Sequence, residues 1–221
     1  MRDAFIISGG SFDEKLFISF LKQEKEMPYL IAADSGLLNF IKLDLVPDLI
    51  VGDFDSGGEE ALSAAKALSK EKGTDLLILN PVKDDTDTES ALDQAMTRTD
   101  GRIFIFGGTG TRLDHVTANM EILAKALKNG RKAYLLDRWN LIQACDSKKS
   151  LTIGKNDQYG RFVSVFPLSG RAVLSLEGFK YPLKDFELLY GTSLGESNEI
   201  EAEYGKIIIK EGVLIVIESI D

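Results

Sequence analysis

The sequence predicts an α/β domain with a doubly wound, Rossmann-like parallel sheet, followed by an all-β domain folded as an antiparallel β-sandwich. Three observations carry this expectation. Apolar runs of strand length alternate with helical periodicity through the first half of the chain. The helical pattern stops near residue 140 and period-two alternation replaces it. Five short acidic or glycine-rich stretches each stand where a predicted strand gives way to a helix.

In chain order, the strand-length runs are Phe5–Ile7, Tyr29–Ala32, Leu49–Val51, Leu76–Leu79, Ile103–Phe106 and Ala133–Leu136. Several are hydrophobic on both faces, as parallel strands covered by helices are. Between them, Ala61, Leu62, Ala65 and Leu68 recur at three- and four-residue steps and predict a helix over Glu59–Lys72. Thr86-x-x-Glu89 is a capping-box pattern that opens a helix carrying Ala91, Leu92, Ala95 and Met96. Val116, Met120, Leu123, Ala124 and Leu127 predict another over Asp114–Lys128. Further on, Arg161–Phe166 and Arg171–Leu176 alternate as strands do, and Lys206–Ile217 reads as two strands around a tight Lys210-Glu211-Gly212 turn. The boundary falls near Trp139 to Gln143, giving domains 1–142 and 143–221.

Bulk properties narrow the function. The chain of 221 residues is long enough to bury a real core, and its formal net charge of −9 argues against a nucleic-acid partner. No apolar run is long enough to span a bilayer, and the N-terminus enters a strand and a glycine pair too soon for a signal peptide. A single cysteine, Cys145, excludes an internal disulfide and any Cys/His metal site. It stands in the apolar run Leu141–Cys145, which favours a buried structural role and a reducing, cytoplasmic location.

In an open parallel sheet the strand C-termini lie along one edge, so segments distant in sequence meet there in one cleft. Asp53 and Asp55 follow the strand Leu49–Val51; in extended backbone their side chains point the same way, roughly 6–7 Å apart, within reach of one or two Mg²⁺ ions. The plainer reading, helix capping, holds for Ser56. Asp84, Asp85 and Asp87 crowd the start of the next helix, more charge than a cap requires, and repel one another unless a cation lies between them. Asp87, in the first turn, is the metal-ligand candidate of the three. Lys83 is a phosphate contact or a solvated surface lysine. Gly107-Gly108-Thr109-Gly110 can turn backbone N–H groups onto an anion, and Arg112 adds a guanidinium suited to phosphate. The loop lacks the Gly-Lys-Ser/Thr ending of a P-loop. Gly9-Gly10 and Asp34-Ser35-Gly36 read equally as close approaches to a nucleotide or as plain turns. His115, the chain's one histidine, is a helix-start residue or a catalytic one.

Taken together in this order, Asp34-Ser35-Gly36, Pro47–Ser56 with its Gly-Asp-Phe-Asp-Ser core, Lys83–Asp87 and Gly107–His115 resemble the thiamine pyrophosphokinases of bacterial type, over essentially the whole chain. The resemblance implies transfer of the diphosphoryl group of ATP to the hydroxyl of thiamine, giving thiamine diphosphate and AMP. It implies Mg²⁺ on Asp53, Asp55 and Asp87. It places Arg112 and Asp114 at the phosphate-binding corner with catalytic roles, and puts Asp34, Ser35, Gly36, Lys83, Gly107, Gly108 and Gly110 around the nucleotide. Ser197-Asn198 resembles a Ser-Asn motif of the thiamine pocket, with Ser193 the competing alignment. A homodimer with sites built between subunits is implied as well. Thiamine is cationic and aromatic, which makes Trp139 a candidate stacking ring, although a core tryptophan is the preferred reading. Two alternatives stand beside this one: a Mg²⁺-dependent phosphohydrolase acting on a nucleotide or sugar phosphate, and a non-catalytic nucleotide sensor.

Overall fold

A computed structural model describes every residue of the chain except Ser56, Gly57 and Lys83. Ser56 as a cap and Lys83 as a phosphate contact therefore lie outside the described residues. The chain divides into two compact units, Met1–Ile122 with Arg131–Arg138, and Leu123–Gly130 with Trp139–Asp221.

The first unit holds β1 (Ala4–Ile7), β2 (Tyr29–Ala33), β3 (Leu49–Gly52), β4 (Asp75–Ile78), β5 (Ile103–Phe106) and β6 (Ala133–Leu136). They pair in parallel in the order β6-β5-β1-β2-β3-β4. The connecting helices are α1 (Glu14–Gln23), α2 (Leu37–Lys42), α3 (Gly58–Lys72), α4 (Asp87–Arg98) and α5 (Leu113–Lys128), the last of which runs through the division between the units. β1, β3 and β5 are buried along their whole length, the continuous hydrophobic runs of strands covered on both faces. β4, at the edge, is partly exposed. Phe17 of α1 is fully buried and packs edge-on against Phe5 and Phe106, with ring centroids 5.9 and 5.1 Å apart. Two caps fix where helices begin: Asp13 accepts from Leu16 N at 2.9 Å, and Thr86 Oγ1 from Glu89 N at 3.1 Å.

The topology sets the position of the site. Strands β1 to β4 step outward in one direction, then the chain returns past them to place β5 on the other side of β1. Chain connections therefore leave β1 and β5 in opposite directions, and a crevice opens at their C-terminal ends. Register aligns those ends, since Ile7 pairs with both Ala32 and Phe106.

The second unit contains β7 (Asn140–Asp146), β8 (Leu151–Gly154), β9 (Phe162–Pro167), β10 (Arg171–Glu177), β11 (Leu183–Leu189), β12 (Asn198–Glu199), β13 (Tyr204–Glu211) and β14 (Val213–Ser219). Its two antiparallel layers run β12-β9-β14-β7 and β11-β10-β13-β8. Val163, Val165, Leu214 and Val216 from the first share one core with Ala172, Leu174, Ile207 and Ile209 from the second, which makes this unit a sandwich. Two expectations change here. The strands around Lys210-Glu211-Gly212 do not form a hairpin: β13 and β14 belong to opposite layers, and Gly212, at φ 86°, is where the chain crosses between them. A Cβ at Gly212 would lie 2.5 Å from the Arg171 carbonyl oxygen, so the crossing also depends on close backbone approach. Trp139 is not a core residue; it stands ahead of β7, outside the alternating core positions, and is 45% exposed. Cys145 is buried as expected, and burial pushes its thiol up to about 12, which leaves it inert as a nucleophile. Among the described residues, no helix is long and apolar enough to cross a membrane.

Candidate active site

A cleft of about 750 Å³ opens over the C-terminal ends of the parallel strands in the first unit. Its walls come from the turn after β1 (Ser8 to Ser11), Asp34 and Ser35 after β2, Asp53 and Asp55 after β3, Asp85 to Thr88 at the start of α4, Gly107 to Arg112 after β5, and His115 and Asn119 on α5. Gly36 and Asp114 are not part of the lining.

The carboxylates of Asp34, Asp53 and Asp87 converge, with one oxygen from each lying within 4.8 Å of the others. Each is positioned by a different local device. Asp34 opens a single 3₁₀ turn, Asp34–Gly36, in the left-handed region at φ 48°, and only 7% of its surface is exposed. That turn closes tightly onto the end of β3: a Cβ at Gly52 would sit 3.0 Å from Asp34 Cα. Gly52→Ala should therefore cost about 1 kcal/mol of stability and shift Asp34, a change that chemical denaturation of the variant would measure. Asp87 is the first residue of α4, directly after the Thr86 cap, and its neighbour Thr88 donates from Oγ1 to Ser8 Oγ at 2.9 Å. This bond ties the acidic end of α4 to the end of β1.

Asp53 and Asp55 are not placed as the simple pair that strand geometry suggests. β3 ends at Gly52, and Phe54 between them adopts φ 59° with its side chain buried to 4% exposure. The extended backbone that would align residues i and i+2 is absent there. Asp55 N–H instead donates to Asp53 Oδ1 at 3.2 Å. Asp55 lines the cleft but stands outside the converging group, and Asp34 takes the third place. Asp84 and Asp85 are exposed, and Asp85 reaches the lining. Three hard carboxylate donors so close together suit a small, oxygen-preferring dication such as Mg²⁺, which commonly takes one or two carboxylates together with substrate phosphates.

The glycine loop lines the same cleft. Gly107 takes φ 67°, Gly10 N–H donates to Gly107 O at 2.7 Å, and Ser11 N–H donates to Thr109 O at 2.7 Å. A side chain on Gly10 would run into both of those carbonyls, so the two turns interlock only because glycine is there. Arg112 closes this wall. Its guanidinium forks onto Asp114, Nε to Oδ1 at 3.2 Å and Nη2 to Oδ2 at 2.5 Å, with both side chains about two-thirds exposed. That bidentate bond holds the Asp114 carboxyl well below the usual range, at about 2, so the pair stays intact until pH falls toward that value. Arg112 lines the cleft, and Asp114, bonded to it, does not. His115 lines the cleft and is exposed.

Ser197 and Asn198 belong to the second unit. Ser197 is exposed at φ 56°, and its N–H donates to Ser164 Oγ at 2.9 Å. Asn198 is buried, and its side-chain amide brackets one residue: Nδ2 donates to Tyr181 O at 2.8 Å, while Oδ1 accepts from Tyr181 N at 3.0 Å. The amide of Asn198 is therefore spent on the backbone of the loop that presents the exposed Tyr181 ring.

The sequence model of the thiamin pyrophosphokinase catalytic domain matches residues 20–135, and that of the family's vitamin B1 binding domain matches residues 149–214. The chain belongs to the thiamin pyrophosphokinase family. The thiamine pyrophosphokinase of Bacillus subtilis is 32% identical over 222 residues, with both chains covered completely. The crystal structure of the B. subtilis thiamine pyrophosphokinase superposes with a TM-score of 0.86 at 31% identity, covering 100% of each chain. That of the Geobacillus thermodenitrificans thiamin pyrophosphokinase gives 0.83 at 31% identity, covering 100% of this chain and 98% of the other. In family terms, the converging aspartates, the glycine loop and Arg112 fall inside the catalytic-domain match, and Ser197 and Asn198 inside the vitamin B1 binding match.

Proposed function

We propose that this protein transfers the diphosphoryl group of ATP to the hydroxyl of thiamine, yielding thiamine diphosphate and AMP. The observation that carries the reading is that three converging carboxylates, an interlocked glycine loop and a forked arginine line one cleft at the topological switch point. Family membership supplies the acceptor. The thiamine hydroxyl oxygen bonds to the β-phosphorus and gives up its proton, while the bond from the β-phosphorus to the bridging oxygen on the α side breaks and AMP departs with that oxygen. Such transfer depends mainly on alignment and charge neutralisation. Asp34, Asp53 and Asp87 would hold Mg²⁺, with Asp55 at the margin of the same site; when bound, the ion neutralises the polyphosphate and fixes its orientation. Gly107, Gly108 and Gly110 cradle the phosphates beside Arg112, and Asp34, Ser35 and Gly36 keep the neighbouring turn close. Lys83 completes the anion contacts in this reading. Asp114 holds the guanidinium fork in its working orientation.

Ser197 and Asn198 form part of the thiamine pocket in this proposal, Asn198 by fixing the Tyr181 loop. The enzyme is a homodimer whose sandwich unit completes the partner's site, and it works in the cytoplasm on small molecules. The single cysteine supports a reducing compartment, the net charge of −9 supports small-molecule partners over nucleic acid, and the dimer rests on the family resemblance alone.

Incubation of the purified protein with ATP, Mg²⁺ and thiamine should release AMP and thiamine diphosphate in equal amounts. Phosphate release from ATP without thiamine would instead identify a phosphohydrolase, and ATP binding with no AMP formed would identify a sensor. Arg112→Lys keeps the charge and loses the planar fork, so turnover should drop at least about tenfold, roughly 1.4 kcal/mol of transition-state stabilisation. Full activity in that variant would remove Arg112 from the reaction.

A further inference from the structure

The glycine loop has three consecutive carbonyls, and each is engaged by the protein. Gly107 O accepts from Gly10 N–H at 2.7 Å and Thr109 O from Ser11 N–H at 2.7 Å, both backbone donors on the turn after β1. The middle one, Gly108 O, accepts from a side chain: Asn119 Nδ2, at 2.7 Å. Asn119 is 6% exposed, lies on α5 one helical turn beyond His115, and lines the cleft.

A trans peptide sets its N–H antiparallel to its C=O. Anchoring the carbonyls of Gly107, Gly108 and Thr109 therefore sets the direction of the N–H groups of Gly108, Thr109 and Gly110. With each acceptor drawn into a protein hydrogen bond, the loop keeps its partly positive N–H edge for an anion, the arrangement of a backbone nest. The outer two carbonyls are held by backbone N–H groups of the turn after β1. The middle carbonyl, on the peptide between Gly108 and Thr109, is held by one side-chain amide.

We infer that Asn119 is a positioning residue for nucleotide binding: by holding Gly108 O it fixes the polarity of the Gly108–Thr109 peptide and so presents the Thr109 N–H to the phosphates. The inference rests on the reading of the cleft as the ATP site. Asn119→Asp is nearly isosteric but replaces the donor with a carboxylate that repels the carbonyl oxygen, which turns the peptide away from its anchored direction. Asn119→Ala removes the anchor without adding repulsion.

The test is calorimetric titration of each variant with ATP and Mg²⁺ in the absence of thiamine, together with KM for both substrates and thermal unfolding. Asn119→Asp should weaken ATP binding at least about tenfold and Asn119→Ala about threefold, while KM for thiamine stays within about twofold of wild type. A purely structural role would lower Tm and shift both substrates alike, and that result overturns the inference. So does unchanged ATP affinity in a folded Asn119→Asp protein. If the aspartate variant does not fold, the alanine variant decides on the same readings. Absence of ATP binding by the wild-type protein would instead strike the reading of the cleft itself.

Discussion

Asp53→Asn and Asp87→Asn should each lower kcat at least about a hundredfold, roughly 2.7 kcal/mol, while Asp55→Asn loses less than about tenfold. The ranking follows from geometry. Asp53 and Asp87 contribute oxygens to the group that converges within 4.8 Å, and Asp55 does not. Asparagine keeps the shape and one oxygen of each side chain but removes the charge that would offset a dication and the polyphosphate it carries. None of the three is a core side chain, so the folded state should survive each change. Turnover measured across a Mg²⁺ titration distinguishes the outcomes. Asp53→Asn and Asp87→Asn should need more Mg²⁺ and still fall short at saturation, whereas Asp55→Asn should approach wild type. Equal losses for Asp53→Asn and Asp55→Asn would return the metal to the adjacent pair that the sequence suggests, and near-wild-type rates in Asp53→Asn and Asp87→Asn would remove the metal from this group.

That contrast shows where sequence reasoning holds and where it stops. The parallel sheet was legible because alternation of strand and helix is written in hydrophobic period, and β1, β3 and β5 match expected runs closely. The edge carrying the cleft followed from topology alone. Asp87 was legible too, since a capping pattern at Thr86 fixes the first residue of α4. Asp34 as a member of the converging group was not. Its place depends on a left-handed backbone at φ 48° and on Gly52 letting β2 and β3 close up, both products of tertiary packing. The strand geometry expected for Asp53 and Asp55 is absent for a related reason: Phe54 between them is buried with its backbone at φ 59°, just where a strand rule was applied. Gly212 shows a different limit. A glycine at positive φ between two apolar runs serves a hairpin and a crossing between sandwich layers equally well, and only strand pairing tells them apart. Asn119 left a faint trace: a polar residue one turn from His115, on a helix whose neighbouring positions are apolar.

Mixing two inactive variants should restore activity if the partner's sandwich unit completes each site. Asp53→Asn disables the cleft of the first unit. A Ser197→Ala, Asn198→Ala double variant disables the second unit, partly by freeing the Tyr181 backbone that the Asn198 amide brackets. Losing those partly buried hydrogen bonds costs on the order of 1 kcal/mol, so thermal unfolding must first show that the double variant remains folded and dimeric. After random subunit exchange, half of the dimers pair one variant with the other. In each such dimer one composite site combines both lesions and the other combines neither. By this symmetry at most about a quarter of all sites are competent, against almost none in either parent preparation. The measurement is AMP formation before and after exchange, with the mixed dimer confirmed by mass spectrometry. Recovery near that ceiling supports sites shared between subunits. If exchange is complete and no activity returns, each chain must supply both halves of its own site, because a site contained in one chain carries its lesion into every dimer it joins.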